Sequence, residues 1–199
     1  MILYMSKFIV GIDEVGRGAI AGPLVIGAAA CVWNAKIAKS LKGIRDSKKL
    51  TPAQREEWFR KFKKMPIKFY TSSTSNNLID KNGLGWALKA GIRRVLKKIN
   101  KKPHLVLLDG GICAPKEYKQ KTIIGGDDKI PLISAASIYA KVRRDKLMVR
   151  LDGRYPYGFK NHKGYGTRRH YQDIKKNGIS RLHRRSFLKN LSKINKSLK

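Results

Sequence analysis

The chain has 199 residues, 42% of them apolar, which suffices for one hydrophobic core of ordinary size, so one main domain is expected. Forty-five Lys and Arg against thirteen Asp and Glu leave a formal charge of +32, far beyond what solubility favours, and point to a polyanionic partner. No stretch reaches the roughly 18 uninterrupted apolar residues of a membrane span and the start does not resemble a cleaved leader, which excludes a membrane protein and leads us to expect a cytoplasmic monomer.

Charge alone only permits such a partner, since a lysine excess also follows from genomic base bias. Cys31 and Cys113 stand in unrelated apolar contexts without the paired spacing of a zinc site, and read as buried, reduced thiols. In chain order, residues 7 to 12 are β-branched and aromatic, and a second such run follows a glycine-rich turn at Leu24 to Trp33, predicting neighbouring strands. Thr51-Pro52-Ala53-Gln54 combines an N-cap threonine, a proline at the first helical position and a glutamine three residues after the cap, predicting a helix through Lys64. A strand is predicted at Ile67 to Ser72. Leu88, Ile92, Val95, Leu96 and Ile99 recur at helical spacing until Pro103, and the short apolar run His104 to Leu108 reads as a buried strand ending in Asp109-Gly110-Gly111. Another short strand is predicted at Thr122 to Ile124. Ser134 can cap a helix with Ile138, Val142 and Val149 on one side and Lys141, Arg143, Arg144 and Lys146 between them. From Lys160 to Lys199 there are thirteen Lys or Arg and one acid, Asp173, so this end reads as a basic appendage.

Four acids do not look like surface counter-charges. Asp13 and Glu14 end the first strand, Asp109 ends the strand before it, and Asp127 follows Ile123-Ile124-Gly125-Gly126. Successive strand residues face opposite sides, so Asp13 and Glu14 reach one site only if the backbone turns there, a turn that Gly16 and Gly18 supply. Carboxylates gathered at strand ends repel one another unless a cation holds them, and oxygen ligands favour magnesium or manganese over zinc. Two such ions are suited to phosphodiester hydrolysis, which agrees with the positive charge. The plainer reading is that these acids are turn formers and helix caps. A Gly16-x-Gly18-x-x-Ala21 dinucleotide fingerprint is set aside, because two acids precede the turn, Pro23 follows within two residues, and the next acid is Asp46.

Asp-Glu-Val-Gly-Arg-Gly at 13 to 18, Gly22-Pro23, Asp46-Ser47-Lys48-Lys49-Leu50, Leu108-Asp109-Gly110, Gly126-Asp127, the alanine- and serine-rich blocks at 134 to 142, His162-Lys163-Gly164-Tyr165-Gly166-Thr167 and His183-Arg184-Arg185-Ser186-Phe187 resemble, in order, the signature blocks of the ribonuclease HII family. The resemblance covers residues 8 to about 188. It implies an α/β, ribonuclease H-like fold: a mixed central sheet flanked by helices over residues 1–152, with a small basic helical C-terminal part, 153–199, packed on it. It implies a Mg2+ or Mn2+ site of Asp13, Glu14, Asp109 and Asp127. It implies also that Gly16, Arg17 and Gly18 meet a ribose 2′-hydroxyl and that Tyr165 packs on the sugar beyond the cut. The substrates implied are RNA/DNA hybrids and duplex DNA carrying ribonucleotides. Where the family commonly has Lys-Gly-Asp, this chain has Gly125-Gly126-Asp127-Asp128, which leaves Asp128 as an alternative fourth ligand.

Lys48, Lys49, Arg184 and Arg185 are candidates for phosphate contacts. Asp145 reads as an ion pair that fixes its basic helix. Among the histidines, His104 reads as structural, while His162 and His183 suit phosphate contact or support of the site as well as catalysis. Two rivals remain: a ribonuclease HIII-like hybrid nuclease, against which the Gly-Arg-Gly turn, Tyr165 and the lack of an added N-terminal domain speak, and a non-catalytic hybrid-binding protein, against which the four acids speak.

Overall fold

Strand runs that are apolar at nearly every position must be covered on both faces. Val10, Ile12, Ala28, Ala30, Val106 and Leu108 pack to one side, and Ile9, Ala29, Cys31, Leu105 and Leu107 to the other. The computed structural model describes residues 7–188. It contains one five-stranded sheet in the order β3-β2-β1-β4-β5, built from β1 (Phe8–Val15), β2 (Leu24–Val32), β3 (Lys68–Thr74), β4 (Leu105–Asp109) and β5 (Gln120–Ile123). The β1–β2 and β2–β3 pairs are antiparallel, whereas β1–β4 and β4–β5 are parallel. This is the mixed sheet expected of a ribonuclease H-like α/β fold.

Helix α4 (Leu84–Lys97), following the short α3 (Asn76–Asn82), covers one face with Ala87, Leu88, Ile92, Val95 and Leu96. The other face carries α1 (Ala35–Ser40), α2 (Pro52–Phe62) and the 22-residue α6 (Pro131–Asp152). The capping box of α2 forms as its sequence predicts: Thr51 accepts from Gln54 N–H while the Gln54 side chain accepts from Thr51 N–H. Helix α6 starts four residues earlier than a Ser134 cap would place it, with Pro131 in its first turn. The Ser134 hydroxyl, inside the helix, instead donates to the carbonyls of Asp127 and Ile130. The basic positions of α6 do not all face outward as the sequence suggested, since Arg144 is fully buried and Val149 is 47% exposed.

Helix α6 lies unusually close to the sheet. A Cβ at Gly11 would stand 2.6 Å from the Leu132 carbonyl group, and one at Gly27 would stand 2.5 Å from the Ala136 oxygen. Only glycine on the strands, with Ala136 and Ala140 on the helix, allows this backbone-to-backbone approach. The C-terminal part contributes α7 (Phe159–His162), α8 (Arg168–Asn177) and a 3-10 turn (Arg185–Phe187). Its apolar residues Tyr157, Phe159, Ile174 and Leu188 form a third cluster with Ile20, Ala21 and Met148 of the preceding chain. The remainder of the expected basic appendage, 189–199, lies outside the described residues. No helix among the described residues is long and apolar enough to cross a membrane.

The close approach makes Gly11→Ala an overpacking change, expected to cost about 1–3 kcal/mol and to lower the thermal midpoint by roughly 2–12 °C. Gly85→Ala, where the added Cβ would meet nothing within 4 Å at an exposed position of α4, should raise stability by about 0.5 kcal/mol. Thermal unfolding of both variants checks the pair.

Candidate active site

Strands β1 and β4 run parallel with Ile12 beside Leu108. The next residue on each, Asp13 and Asp109, therefore stands beside the other at the carboxyl end of this parallel pair, where ligands of open α/β sheets gather. Asp13 is 4% exposed. Burial pushes its carboxyl up to about 7; Glu14 and Asp109 add repulsion, and hydrogen bonds from the Ser137 hydroxyl and the Glu14 N–H oppose the rise. Burial also raises Glu14, opposed chiefly by the Arg17 guanidinium 3.4 Å away.

The short helix α5 (Gly126–Lys129) brings the fourth acid. Gly126 N–H donates to Asp109 Oδ1 at 2.6 Å. A Cβ at Gly126 would stand 2.8 Å from Ile133 Cδ1 and 3.4 Å from that carboxylate oxygen, which explains the glycine before Asp127. Asp127 is buried and accepts from Lys48 Nζ at 3.2 Å, and Lys48 also feels the charges of Asp46 and Asp13. Asp128 is exposed, and its hydrogen bond from Lys49 at 2.8 Å holds its carboxyl below the ordinary carboxylate range. Of the two neighbouring aspartates, Asp127 alone is buried.

Gly16 supplies the turn, as the sequence suggested, but too late to bring Asp13 and Glu14 to one side. Strand β1 stays extended through Val15, with Glu14 opposite Ile26, and reverses only at Gly16, whose φ is +88°. Asp13 and Glu14 therefore project to opposite faces of the pleat. Among the described residues, no three His, Cys, Asp or Glu side chains converge closely enough to hold a metal ion. The four acids nonetheless present only oxygen donors, and their nearest counter-charges are lysine and arginine side chains. That donor chemistry suits a hard divalent cation.

Beyond β1 the Gly16–Gly18 turn is fixed from below by two buried guanidiniums. Arg144 donates to the carbonyls of Pro23 at 2.9 Å, Lys163 at 2.8 Å and Ala21 at 3.2 Å. Arg184 donates to those of Gly22 and Arg17, each at 3.0 Å, and burial next to Arg144 pulls its guanidinium down to about 10. A Cβ at Gly16 would stand 2.3 Å from Arg144 Nε, so glycine is required there by contact as well as by its positive φ. The main chain then pairs Ala19 with Tyr165 and Ala21 with His183. The Tyr165 ring has Lys141 Nζ 5.5 Å and Arg144 Cζ 5.4 Å from its centroid.

These contacts correct one expectation. Arg184 is fully buried, with Nε and Nη1 donating to backbone carbonyls and Nη2 without a partner among the described residues, so it supports the glycine turn and offers no surface to a phosphate. Arg185 is exposed, Lys49 is exposed and paired to Asp128, and Lys48 reaches Asp127. Asp145 pairs with Lys141 at 3.0 Å, as its helix position suggested. Sequence reasoning passed over Arg144, although the stripe Ala136, Ala140, Arg144, Met148 at four-residue spacing marks it as inward-facing. It also passed over Asp80, whose carboxylate accepts from the N–H groups of Arg185 and Ser186. A groove of about 840 Å³ opens beside Tyr165, lined by Arg55, Lys141, Arg143, Lys146 and Arg150 among others. Its acids Glu56 and Asp145 are already paired with Lys146 and Lys141.

Comparison with known proteins agrees with this fold. The family described as Ribonuclease HII matches residues 10–190. Ribonuclease HII of Desulfitobacterium hafniense is 44% identical over 180 residues, covering 90% of this chain and 68% of that protein. Ribonuclease HII of Prochlorococcus marinus is 43% identical over 181 residues, covering 90% and 88%. The crystal structure of ribonuclease H2 from Pyrococcus horikoshii superposes with a TM-score of 0.74 at 28% identity, covering 96% of this chain and 98% of that one.

The buried Asp13 generates a test of its own. Its carboxyl titrates at about 7 against an ordinary 3.8, so without divalent ions the folded chain holds this proton more tightly than the unfolded chain does. The associated stability is complete below about pH 4 and is lost as pH rises through 7. In chelator, wild type should lose on the order of 1–4 kcal/mol relative to Asp13→Asn between pH 5 and pH 8. Parallel unfolding curves for the two proteins across that range would contradict the account.

Proposed function

This chain belongs to the ribonuclease HII family and is an endoribonuclease of the ribonuclease H kind, and on that premise we propose that it hydrolyses the RNA strand of RNA/DNA hybrids and cuts 5′ to ribonucleotides embedded in duplex DNA. The products are a 3′-hydroxyl and a 5′-phosphate. In the cytoplasm this would open the strand for ribonucleotide excision repair, with the enzyme acting as a monomer. One observation carries the reading: the bridge between Ala19 and Tyr165 ties the Tyr165 loop to the segment that follows the Gly16–Gly18 turn, which itself follows Asp13 and Glu14 of β1.

Asp13, Glu14, Asp109 and Asp127 would hold Mg2+ or Mn2+. A pair of such ions supplies charge stabilisation at the phosphodiester and lowers the pKa of the attacking water. The chain supplies the rest. Glycines at 16 and 18 let main-chain groups approach a sugar closely, and the 2′-hydroxyl they would meet is what separates RNA from DNA. Tyr165 would pack on the following sugar, where a missing 2′-hydroxyl leaves room for the ring. The two contacts read adjacent sugars oppositely, and the cut would fall between DNA and the ribonucleotide. Arg143, Lys146 and Arg150 would face backbone phosphates along the groove, in the general role that the sequence assigned to Arg184 and Arg185.

A DNA duplex with one ribonucleotide should be cut with Mg2+ and left intact in chelator. Asp13→Asn and Asp109→Asn should each lose orders of magnitude in rate while still binding duplex; undiminished cleavage by equally folded variants would sink the metal-site proposal. Losing a stacking aromatic costs about 1–3 kcal/mol, so Tyr165→Ala should slow junction cleavage by roughly 10- to 100-fold and Tyr165→Phe much less. Alanine at Arg143, Lys146 or Arg150 should each reduce the slope of log affinity against log salt by about 1, equally for different sequences. That slope is read from duplex binding by Asp13→Asn in chelator.

A further inference from the structure

Three imidazoles lie together under the Tyr165 loop: His162 is 9% exposed, His170 is fully buried and His183 is 1% exposed. His162 stacks on His170 with ring centroids 4.1 Å apart and planes 17° apart. Tyr157 and Phe159 close the cluster edge-on, 4.7 Å from His183 and 5.6 Å from His170 respectively. None of these histidines has a place in the hydrolytic scheme above.

Their hydrogen bonds have only one consistent direction. The Ser180 N–H lies 3.0 Å from His183 Nδ1, and an N–H can only donate, so His183 Nδ1 accepts and its proton sits on Nε2. His183 Nε2 lies 3.1 Å from His170 Nε2, which must then accept. His170 consequently carries its proton on Nδ1, 2.8 Å from the Tyr165 carbonyl, an atom that can only accept. Working from either end gives the same two opposite tautomers. A charged form of either ring would set N–H against N–H. Burial pulls both rings down to about 4, so the neutral chain persists through the neutral range.

This chain of bonds joins the two segments that pair with residues 19–21, just after the glycine turn. Tyr165 pairs with Ala19 on one side and His183 with Ala21 on the other, while Arg184 N–H donates to Ile20 at 2.7 Å. We propose that His183 and His170 are positioning residues for Tyr165: the bond from His170 Nδ1 to the Tyr165 carbonyl, oriented by His183, holds the ring at the depth where it tells deoxyribose from ribose. His162 Nε2 donates to the Tyr157 carbonyl at 2.7 Å and its Nδ1 accepts from Gly164 N–H at 3.2 Å, which keeps the stacked ring in place beneath the loop. The inference rests on the sugar-reading role proposed for Tyr165.

The test uses the geometry of amides. Asn at 170 can place an amide nitrogen near the position of Nδ1 and keep the bond to Tyr165, whereas Gln extends its amide to the position of Nε2 and forfeits that bond. With the whole protein and Mg2+, we expect His170→Gln to slow cleavage at a single embedded ribonucleotide at least about 10-fold more than cleavage of an all-RNA hybrid strand. His170→Asn should retain most of the discrimination, and in a Tyr165→Ala background the Gln change should leave the ratio of the two rates where it is. Equal loss on both substrates in step with a lowered thermal midpoint, or equal behaviour of Asn and Gln, overturns the inference while leaving the role of Tyr165 intact. If Tyr165→Ala itself treats the two substrates as wild type does, the sugar-reading role fails and this inference fails with it. Imidazole nitrogen shifts of the wild-type protein at pH 7 need no variant. They should show His170 protonated on Nδ1 and His183 on Nε2, and matching tautomers or a charged ring would refute the chain.

Discussion

The contact on which the rest of this molecule depends is the close approach of α6 to β1 and β2. Gly11 and Gly27 remove side chains from the strands where Leu132 and Ala136 pass, and Ala136 and Ala140 keep the helix surface shallow. Because the helix lies almost on the strand backbones, its first turns reach the acid edge of the sheet. Ser137 there meets Ser47 at 2.8 Å and contributes a hydrogen bond to Asp13. About two turns further on, the same helix brings Arg144 beneath the glycine turn. Any larger residue at the contact would lift both the carboxylate environment and the support of the turn at once.

The buried charges are distributed in an instructive way. Asp13 and Asp127 on one side and Arg144 and Arg184 on the other are all buried, yet the arginines are not ion-paired with those acids. Main-chain carbonyls take most of their donors, all but Arg184 Nη2, which distributes their charge over the dipoles of a loop, while Asp127 and Glu14 find Lys48 and Arg17 instead. A buried charge tolerates such a site only when hydrogen bonds replace water. The result is a cationic floor under the turn and, at the acid edge, a buried Asp13 that has no ion-pair partner among the described residues. Asp13, pushed to about 7 by its burial, records that tension.

The C-terminal part is bound to the core by specific polar bonds as well as by its apolar cluster. Asn76 donates to the Arg181 and His183 carbonyls, Asp80 caps the turn at Arg185, and the imidazole chain ties Tyr165 to His183. Phe159, Tyr157 and Ile174 supply bulk around this network. The bonds of Asn76 and of the imidazole chain involve buried or partly buried groups whose loss would leave an unpaired donor or acceptor, so the network fixes one geometry where apolar packing alone would admit several.

Much of the framework was legible along the chain. Two-sided apolar runs made the sheet a covered one, the Thr51 to Gln54 pattern formed its capping box, and Asp145 found its partner one helical turn away at Lys141. The acids at strand ends were visible because a carboxylate ending a β-branched run is locally conspicuous, and the ordered blocks from Asp13 to Phe187 identified the family. These signals are short-range, resting on spacings of two to four residues that fix strand and helix faces. The tertiary structure alone decided the rest. Arg144 meets Pro23 across 121 residues of sequence, Arg184 turns inward to the glycine turn, β1 stays extended through Glu14, and His170 and His183 meet under Tyr165. No local periodicity distinguishes an arginine that faces water from one that faces carbonyls brought there by another segment; only the folded chain, by setting those carbonyls in place, selects between them.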